Sequence, residues 1–325
     1  MKTSATGRKT SSLLPLLVCW VVVALLASTG SAMPAAGRGL PLTKVTVAVL
    51  PVEPTALAFY AKERGFFRQQ GIDAKLTYVL EPAQIVAAVL SGDAQFASLN
   101  TAGLAVLKSR GAPVKVVAAG ALYRPKAPTT ALVAAPGRKI KRARDLVGKL
   151  IAVAARNNLD DIGLLRWLKR NGPSEKEVRF TLIPFPQMIG PLTRGTVDAA
   201  VIPEPYLTQV TQRGATRVAY IFNAVCPKNC LLTFYMARRD VDTNLAVRFR
   251  NAIQAAAVWA NKKQNRRASG DLLARYTGID RALIKKVTRV QFLERLRPAP
   301  AQPWIDALAE FGVIPASFPA SDLVK

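Results

Sequence analysis

Two stretches of the 325-residue chain repeat each other at a constant offset of 103 residues. Residues 83–112 read AQIVAAVLSGDAQFASLNTAGLAVLKSRGA, and residues 186–215 read PQMIGPLTRGTVDAAVIPEPYLTQVTQRGA. Gln84 matches Gln187, Gly92 matches Gly195, Ala97 matches Ala200, and Arg110-Gly111-Ala112 matches Arg213-Gly214-Ala215, all without a gap. Two copies are too few for a solenoid, which stacks three or more units. They suit two similar lobes, and that restricts the fold more than any other feature of the chain.

Each copy has the same grammar. A helix opens near Pro82, whose fixed φ suits a first turn. Ile85, Val86, Val89 and Leu90 then fall at helical spacing. Gly92, or Gly195 in the second copy, ends the helix. A short apolar strand follows, residues 95–99 or 199–202, then a loop, a second helix and a closing Arg-Gly. A further strand comes next, residues 114–120 or 216–222, and earlier strands fit the plan at residues 44–50 and 149–155. Continuous β-branched runs alternating with amphipathic helices indicate parallel sheets covered on both faces. The expectation is an α/β protein of two doubly wound lobes. Residues 43–135 form the first part of lobe 1, residues 136–228 lobe 2, and residues 229–325 return to lobe 1 with C-terminal helices, the clearest at residues 244–263. The extended apolar stretches at residues 128–137 and 230–240 lie outside the repeat and flank the second lobe, as two hinge crossovers would.

Residues 1–32 do not read as core. Lys2, Arg8 and Lys9 precede an apolar run from Leu13 to Ala27, and Gly30-Ser31-Ala32 offers small residues for cleavage. That order is a secretory signal peptide, and it places the mature protein in the periplasm. A membrane anchor is the alternative, but the run is short of the ~20 residues a spanning helix needs. Cleavage lowers the formal charge from +26 by three, to +23. A basic excess suits nucleic acid, anionic lipid, an anionic ligand or simply a solvated surface. Here the basic residues are scattered, with small clusters only at residues 138–144 and 262–267. Neither zinc-finger spacing nor an aromatic-basic RNA motif occurs, and export argues against a nucleic-acid partner. The chain has no histidine, which excludes histidine-based triads and histidine-containing zinc sites. No metal and no cofactor are expected. Cys226 and Cys230 remain after cleavage, spaced as CPKNC. In an oxidising compartment a local disulfide is the first reading and a pair of free thiols the second.

In open parallel sheets, ligands bind beyond the carboxyl ends of the strands. In the repeats those ends are Ser98-Leu99-Asn100-Thr101 and Val201-Ile202-Pro203-Glu204, and facing lobes bring them to opposite walls of one cleft. The first strand of each lobe ends in PVEPT (residues 51–55) or RNNLDD (residues 156–161), each running into a helix start. Exposed N–H groups there favour anionic or strongly accepting ligand groups. Every candidate carries two readings. Ser98, Asn100 and Thr101 either touch ligand or cap the following helix. Glu53 is a cleft carboxylate or a solvated loop charge, and Asn157 and Asn158 are ligand contacts or turn residues. Arg156 is the strongest anion partner by chemistry, or else a surface guanidinium. Asp160 and Asp161 complement a helix dipole. Glu204, fixed between two prolines, faces the cleft with Tyr206 as a stacking wall. Tyr123, Arg124, Gln84 and Gln187 are weaker candidates.

Four stretches resemble a known family: LAFYAKERGFFRQQGIDAKLTYV (residues 57–79), LSGDAQFASLN (residues 90–100), DLVGKLIAVAA (residues 145–155) and RGTVDAAVIPEPY (residues 194–206). They are similar to the nitrate/sulfonate/taurine family of periplasmic binding proteins of ABC importers, thiamine-pyrimidine-related members included. The resemblance runs in order from Lys44 to Val324. It implies a type II periplasmic binding protein fold, hinge closure on a solute, and delivery to an ABC permease and ATPase complex. Its members take anions, sulfonates, pyrimidines and aromatic acids. The expected function is therefore extracytoplasmic capture of a small anionic or aromatic solute by a monomer, with no catalysis. A thiamine-pyrimidine-synthase-like enzyme is one alternative. Such relatives use histidine among their reacting residues, and this chain has none, though a carboxylate pair drawn from Glu53, Asp160 and Glu204 is conceivable. A solute sensor without transport and a basic nucleic-acid-binding or surface-binding protein are the others.

Overall fold

The β-branched runs become strands in a computed structural model that describes residues 42–325. The expected signal segment, residues 1–32, lies outside the described residues. In chain order the strands are β1 (Thr43–Val49), β2 (Ile72–Tyr78), β3 (Phe96–Asn100), β4 (Val114–Ala119), β5 (Ala121–Tyr123), β6 (Thr130–Ala134), β7 (Leu150–Val153), β8 (Arg179–Leu182), β9 (Ala199–Pro203), β10 (Thr216–Ala219), β11 (Cys230–Leu231), β12 (Thr233–Arg238) and β13 (Gln291–Phe292). They form two five-stranded sheets, β2-β1-β3-β12-β4 and β8-β7-β9-β6-β10, and a three-stranded sheet, β11-β5-β13. The large sheets share one plan. β1 runs parallel to β2 and β3, and β7 runs parallel to β8 and β9. β12 lies antiparallel between β3 and β4, and β6 antiparallel between β9 and β10. Even register follows the repeat: Val47 pairs with Leu76, and Leu150, 103 residues on, pairs with Arg179, also 103 residues on. The matched glycines have a backbone reason. Gly92 and Gly195 sit just past their helices at φ 87° and 73°, left-handed values that only glycine adopts without a Cβ penalty.

The lobe boundaries shift. β6 was expected to close the first lobe, but it pairs with β9 and β10 in the second sheet, so lobe 2 begins near Thr130. The second extended stretch does the reverse, since β12 is built into the first sheet. Each chain crossing thus lends an antiparallel strand to the lobe it enters, and the linking segments are shorter than the apolar runs suggested. β5, before the first crossing, pairs with β11, in the second, through Tyr123 opposite Cys230. Cys226 and Cys230 are bridged there, with Cα atoms 5.7 Å apart.

The C-terminal segment divides between the lobes. Helix Thr243–Asn261 returns to lobe 1, where the buried Phe249 ring stacks on Phe96 at 3.8 Å and also meets Phe67. Helix Gln302–Glu310 does not belong to lobe 1 alone. Its Trp304 meets Phe222 edge-on at 4.9 Å, and Glu310 pairs with Arg166 at 3.0 Å and Lys169 at 2.9 Å on the lobe 2 helix Leu159–Asn171. The apolar face of this short helix, Trp304, Ile305 and Leu308, is buried by packing on helices of both lobes. Among the described residues no helix is long and apolar enough to cross a membrane.

Candidate ligand-binding cleft

The carboxyl ends of the two large sheets face each other across a cavity of about 80 Å³. Lobe 1 contributes the segment after β1 (Leu50, Val52, Pro54, Thr55), the start of helix Pro82–Ser91 (Pro82, Ile85), the end of β3 (Ser98, Leu99, Asn100), and Leu232 and Thr233. Lobe 2 contributes Thr130, Asn158, Leu159, Asp160, Phe185, Pro203 and Phe222. Three pairs of these residues are related by the 103-residue offset: Thr55 with Asn158, Pro82 with Phe185, and Asn100 with Pro203. The repeat therefore builds both walls. It also places a chemically different residue at each matched position, so the walls are alike in backbone and unlike in chemistry.

Of the candidates read from sequence, Ser98, Asn100 and Asn158 line this cavity. Asn100 caps helix Thr101–Ser109, its Oδ1 accepting from Gly103 N–H at 2.8 Å. Asn158 caps helix Leu159–Asn171, its Oδ1 accepting from Asp161 N–H at 3.0 Å. Both caps use the carbonyl oxygen, so capping and lining the cleft coexist. Ser98 is buried and lies beside Tyr235, its cross-strand neighbour on β12.

The other candidates are held within the protein. Thr101 donates its hydroxyl to Leu231 C=O at 2.6 Å and ties its helix to the second crossing. Glu53 is fully buried and paired with Arg289. It also accepts from Val290 N–H at 3.1 Å. Burial pushes its carboxyl up, and the Arg289 charge pulls it back. Arg156 is paired with Asp161 at 3.0 Å and with Glu175, and stacks over Phe180 at 4.1 Å. Two carboxylates hold its charge outside the cavity. Asn157 takes a left-handed φ of 60°, and its N–H donates to Asp161 at 2.8 Å. Tyr206 and Glu204 instead reach the opposite lobe. The Tyr206 hydroxyl donates to Pro51 C=O at 3.0 Å, and Glu204 accepts from Thr288 N–H at 3.3 Å. Glu204 also accepts from Thr208 N–H at 3.0 Å and its hydroxyl at 2.8 Å. Burial pushes Glu204 up to about 7.

Sequence reasoning read Asp160 as a helix-dipole residue or as one member of a carboxylate pair; among the described residues it is the one ionisable side chain lining the cavity. It is 7 % exposed, and burial pushes its carboxyl up to about 7. Phe185 was legible as the partner of Pro82 under the offset. Thr130 and Thr233 come from the crossings, where no repeat pointed to them, and Phe222 lies in the turn Ile221–Ala224 that follows β10. Among the described residues no lysine or arginine lines the cavity. Six basic residues, Lys263, Arg266, Arg267, Arg281, Lys285 and Arg289, surround a separate depression on the C-terminal helices.

The model of the NMT1/THI5-like family matches residues 54–266, a span that contains both repeats and every cavity-lining residue but Leu50 and Val52. The chain belongs to the NMT1/THI5-like family. Solved structures agree on the fold. The alkanesulfonate-binding protein SsuA from Xanthomonas axonopodis pv. citri, bound to MOPS, superposes with a TM-score of 0.72 at 16% identity, covering 88% of this chain and 99% of that one. The ligand-binding component of an ABC-type import system from Staphylococcus aureus gives 0.73 at 14% identity, covering 87% and 96%. The periplasmic nitrate-binding protein NrtA from Synechocystis PCC 6803 gives 0.71 at 14%, covering 87% and 85%. No curated protein matches the chain by sequence. Members of this family and these neighbours bear out the resemblance carried by the sequence motifs and the two-lobed α/β fold it implied. The fold is that of the substrate-binding proteins of ABC import systems.

Proposed function

We propose that the protein is the extracytoplasmic solute-binding component of an ABC importer. It captures a small molecule between its lobes, closes by hinge motion at the two crossings, and delivers its cargo to a membrane permease and ATPase. It transforms nothing. The observation that carries this reading is the cavity between the two sheets, walled by equivalent strand ends of both lobes. A ligand there touches both walls only when the lobes are together, and it shifts the open–closed equilibrium by that difference in affinity. The neighbours named for sulfonate, nitrate and import support the same role. Residues 1–32 serve as the signal peptide, and the Cys226–Cys230 bridge fits an oxidising compartment. Ser98, Asn100 and Asn158 contact the solute directly, while Tyr206 and Glu204 act by joining the lobes.

A thermal-shift screen of the exported protein against sulfonates, nitrate, aromatic carboxylates, pyrimidines and amines tests the reading. A bound solute at 100 times its Kd adds about 2.7 kcal/mol of stability. Turnover of a stabilising compound into product would overturn the proposal in favour of an enzyme.

A further inference from the structure

The polar groups of the cleft define a ligand of particular charge. Asp160 sits in the first turn of helix Leu159–Asn171, buried in the cavity wall. It accepts a single long hydrogen bond, from Asn158 Nδ2 at 3.4 Å. The nearest guanidinium in sequence, Arg156, is bound to Asp161 and Glu175. Among the described residues no lysine or arginine lines the cavity. A buried carboxylate without a cation costs several kcal/mol unless a partner arrives or it takes a proton. Across the cavity the Ser98 hydroxyl is also buried, beside Tyr235 on the neighbouring strand. The rest of the lining is largely apolar, with Phe185 and Phe222 as its large rings.

Anions find little here. Helix N-termini attract anions through unpaired N–H groups, but those opening on this cleft withhold them. Asn158 and Asn100 occupy the ends of helices Leu159–Asn171 and Thr101–Ser109. Helix Pro82–Ser91 begins with proline, and helix Phe185–Thr193 has Pro186 at its second position, so neither has a full set of N–H donors.

We infer that the cleft takes a small organic cation, an ammonium or amidinium whose N–H groups are held by Asp160 and Ser98 and whose apolar body packs on Phe185 and Phe222. The inference rests on the solute-capture reading and names the cargo's chemistry. The ligand supplies the cation Asp160 lacks, and the same carboxylate turns anions away.

The test is calorimetry on the exported protein at pH 8 with two matched series. One runs from methylammonium to benzylammonium and benzamidine; the other holds nitrate, methanesulfonate, benzenesulfonate and benzoate. The expected result is binding within the cationic series alone, tightest for members with an apolar body. Asp160→Asn, which keeps the shape of the side chain, should weaken the best cation by about 10- to 150-fold with an unchanged circular dichroism spectrum. Should that variant prove unstable, the wild-type series still decides. Binding of the anions but not the cations overturns the inference and leaves solute capture standing. Equal cation binding by wild type and Asp160→Asn also overturns it. Silence of both series counts against the inference and against capture in this cleft.

Discussion

Glu53 separates the two roles a buried carboxylate can play in a protein of this shape. In the structure it is a strut. It is fully buried and joins Arg289, itself bonded to Tyr60 Oη at 2.8 Å, and the Val290 N–H at 3.1 Å. The pair fastens the segment after β1 to the C-terminal part of lobe 1. Arg289→Met removes the cation and leaves the carboxylate in an apolar setting. Breaking a buried pair from one side costs about 3–5 kcal/mol. For a body of this size that is a fall in Tm of roughly 5–15 °C. The loss has a pH signature. Without Arg289 the Glu53 carboxyl, already raised by burial, rises further. An acid with a raised folded pKa destabilises the native state progressively as pH climbs above its unfolded value. The deficit should therefore be smaller at pH 5 than at pH 7.5, by about 1–2 kcal/mol. Adding Glu53→Gln to Arg289→Met should recover most of the loss, because two neutral groups remain. Urea unfolding followed by circular dichroism reads all three quantities. A Glu53→Gln variant of wild-type stability that no longer binds a solute found by thermal shift would refute the reasoning and return Glu53 to the ligand site.

Three further outcomes follow from the same contacts. Asp160 and Glu204 are both pushed up to about 7, so their ionisation opposes folding. Apart from other groups, the unliganded protein should lose stability as pH rises from 5 to 8, and Asp160→Asn together with Glu204→Gln should flatten that slope in Tm measured across the window. Tyr206→Phe removes the hydrogen bond to Pro51 C=O, about 0.5–1.5 kcal/mol of the contact between lobes, and should weaken solute binding by about 2- to 10-fold without lowering the unfolding midpoint by more than a few degrees; unchanged affinity in calorimetry would count against it. The loop closed by Cys226 and Cys230 is short, so replacing both with serine should cost less than the ~3 kcal/mol of a 15-residue loop. Two alkylatable thiols in the native exported protein would contradict the bridge.

The architecture was legible because the repeat carried it. A single offset predicted two lobes, and the pairing of Val47 with Leu76 and of Leu150 with Arg179 repeats that offset in hydrogen bonds. The crossings were harder. β6 and β12 read as linkers because their apolar runs lie outside the repeat, and only long-range pairing with β9 and β3 assigns them to opposite lobes. The strand-end rule placed Ser98, Asn100 and Asn158 at the cavity, since those positions depend on backbone geometry alone. It did not foresee that Arg156 meets Glu175, nineteen residues on, or that Glu53 meets Arg289, 236 residues on. Which charges are free to face a ligand depends on such distant partners, and spacing along the chain does not reveal them. The basic excess agrees with its reading as a solvated surface: among the described residues the cavity is lined by one charged side chain, the acidic Asp160, and basic residues gather elsewhere.

Closure of the lobes on a solute is tested most directly by small-angle X-ray scattering. The protein would be measured alone and with saturating amounts of a compound that stabilises it in the thermal-shift screen. Closure predicts a smaller radius of gyration with the compound, an effect that Asn100→Trp, which fills the cavity wall, abolishes along with binding. Stoichiometric binding with an unchanged radius, or undiminished binding by Asn100→Trp, would contradict capture between the lobes.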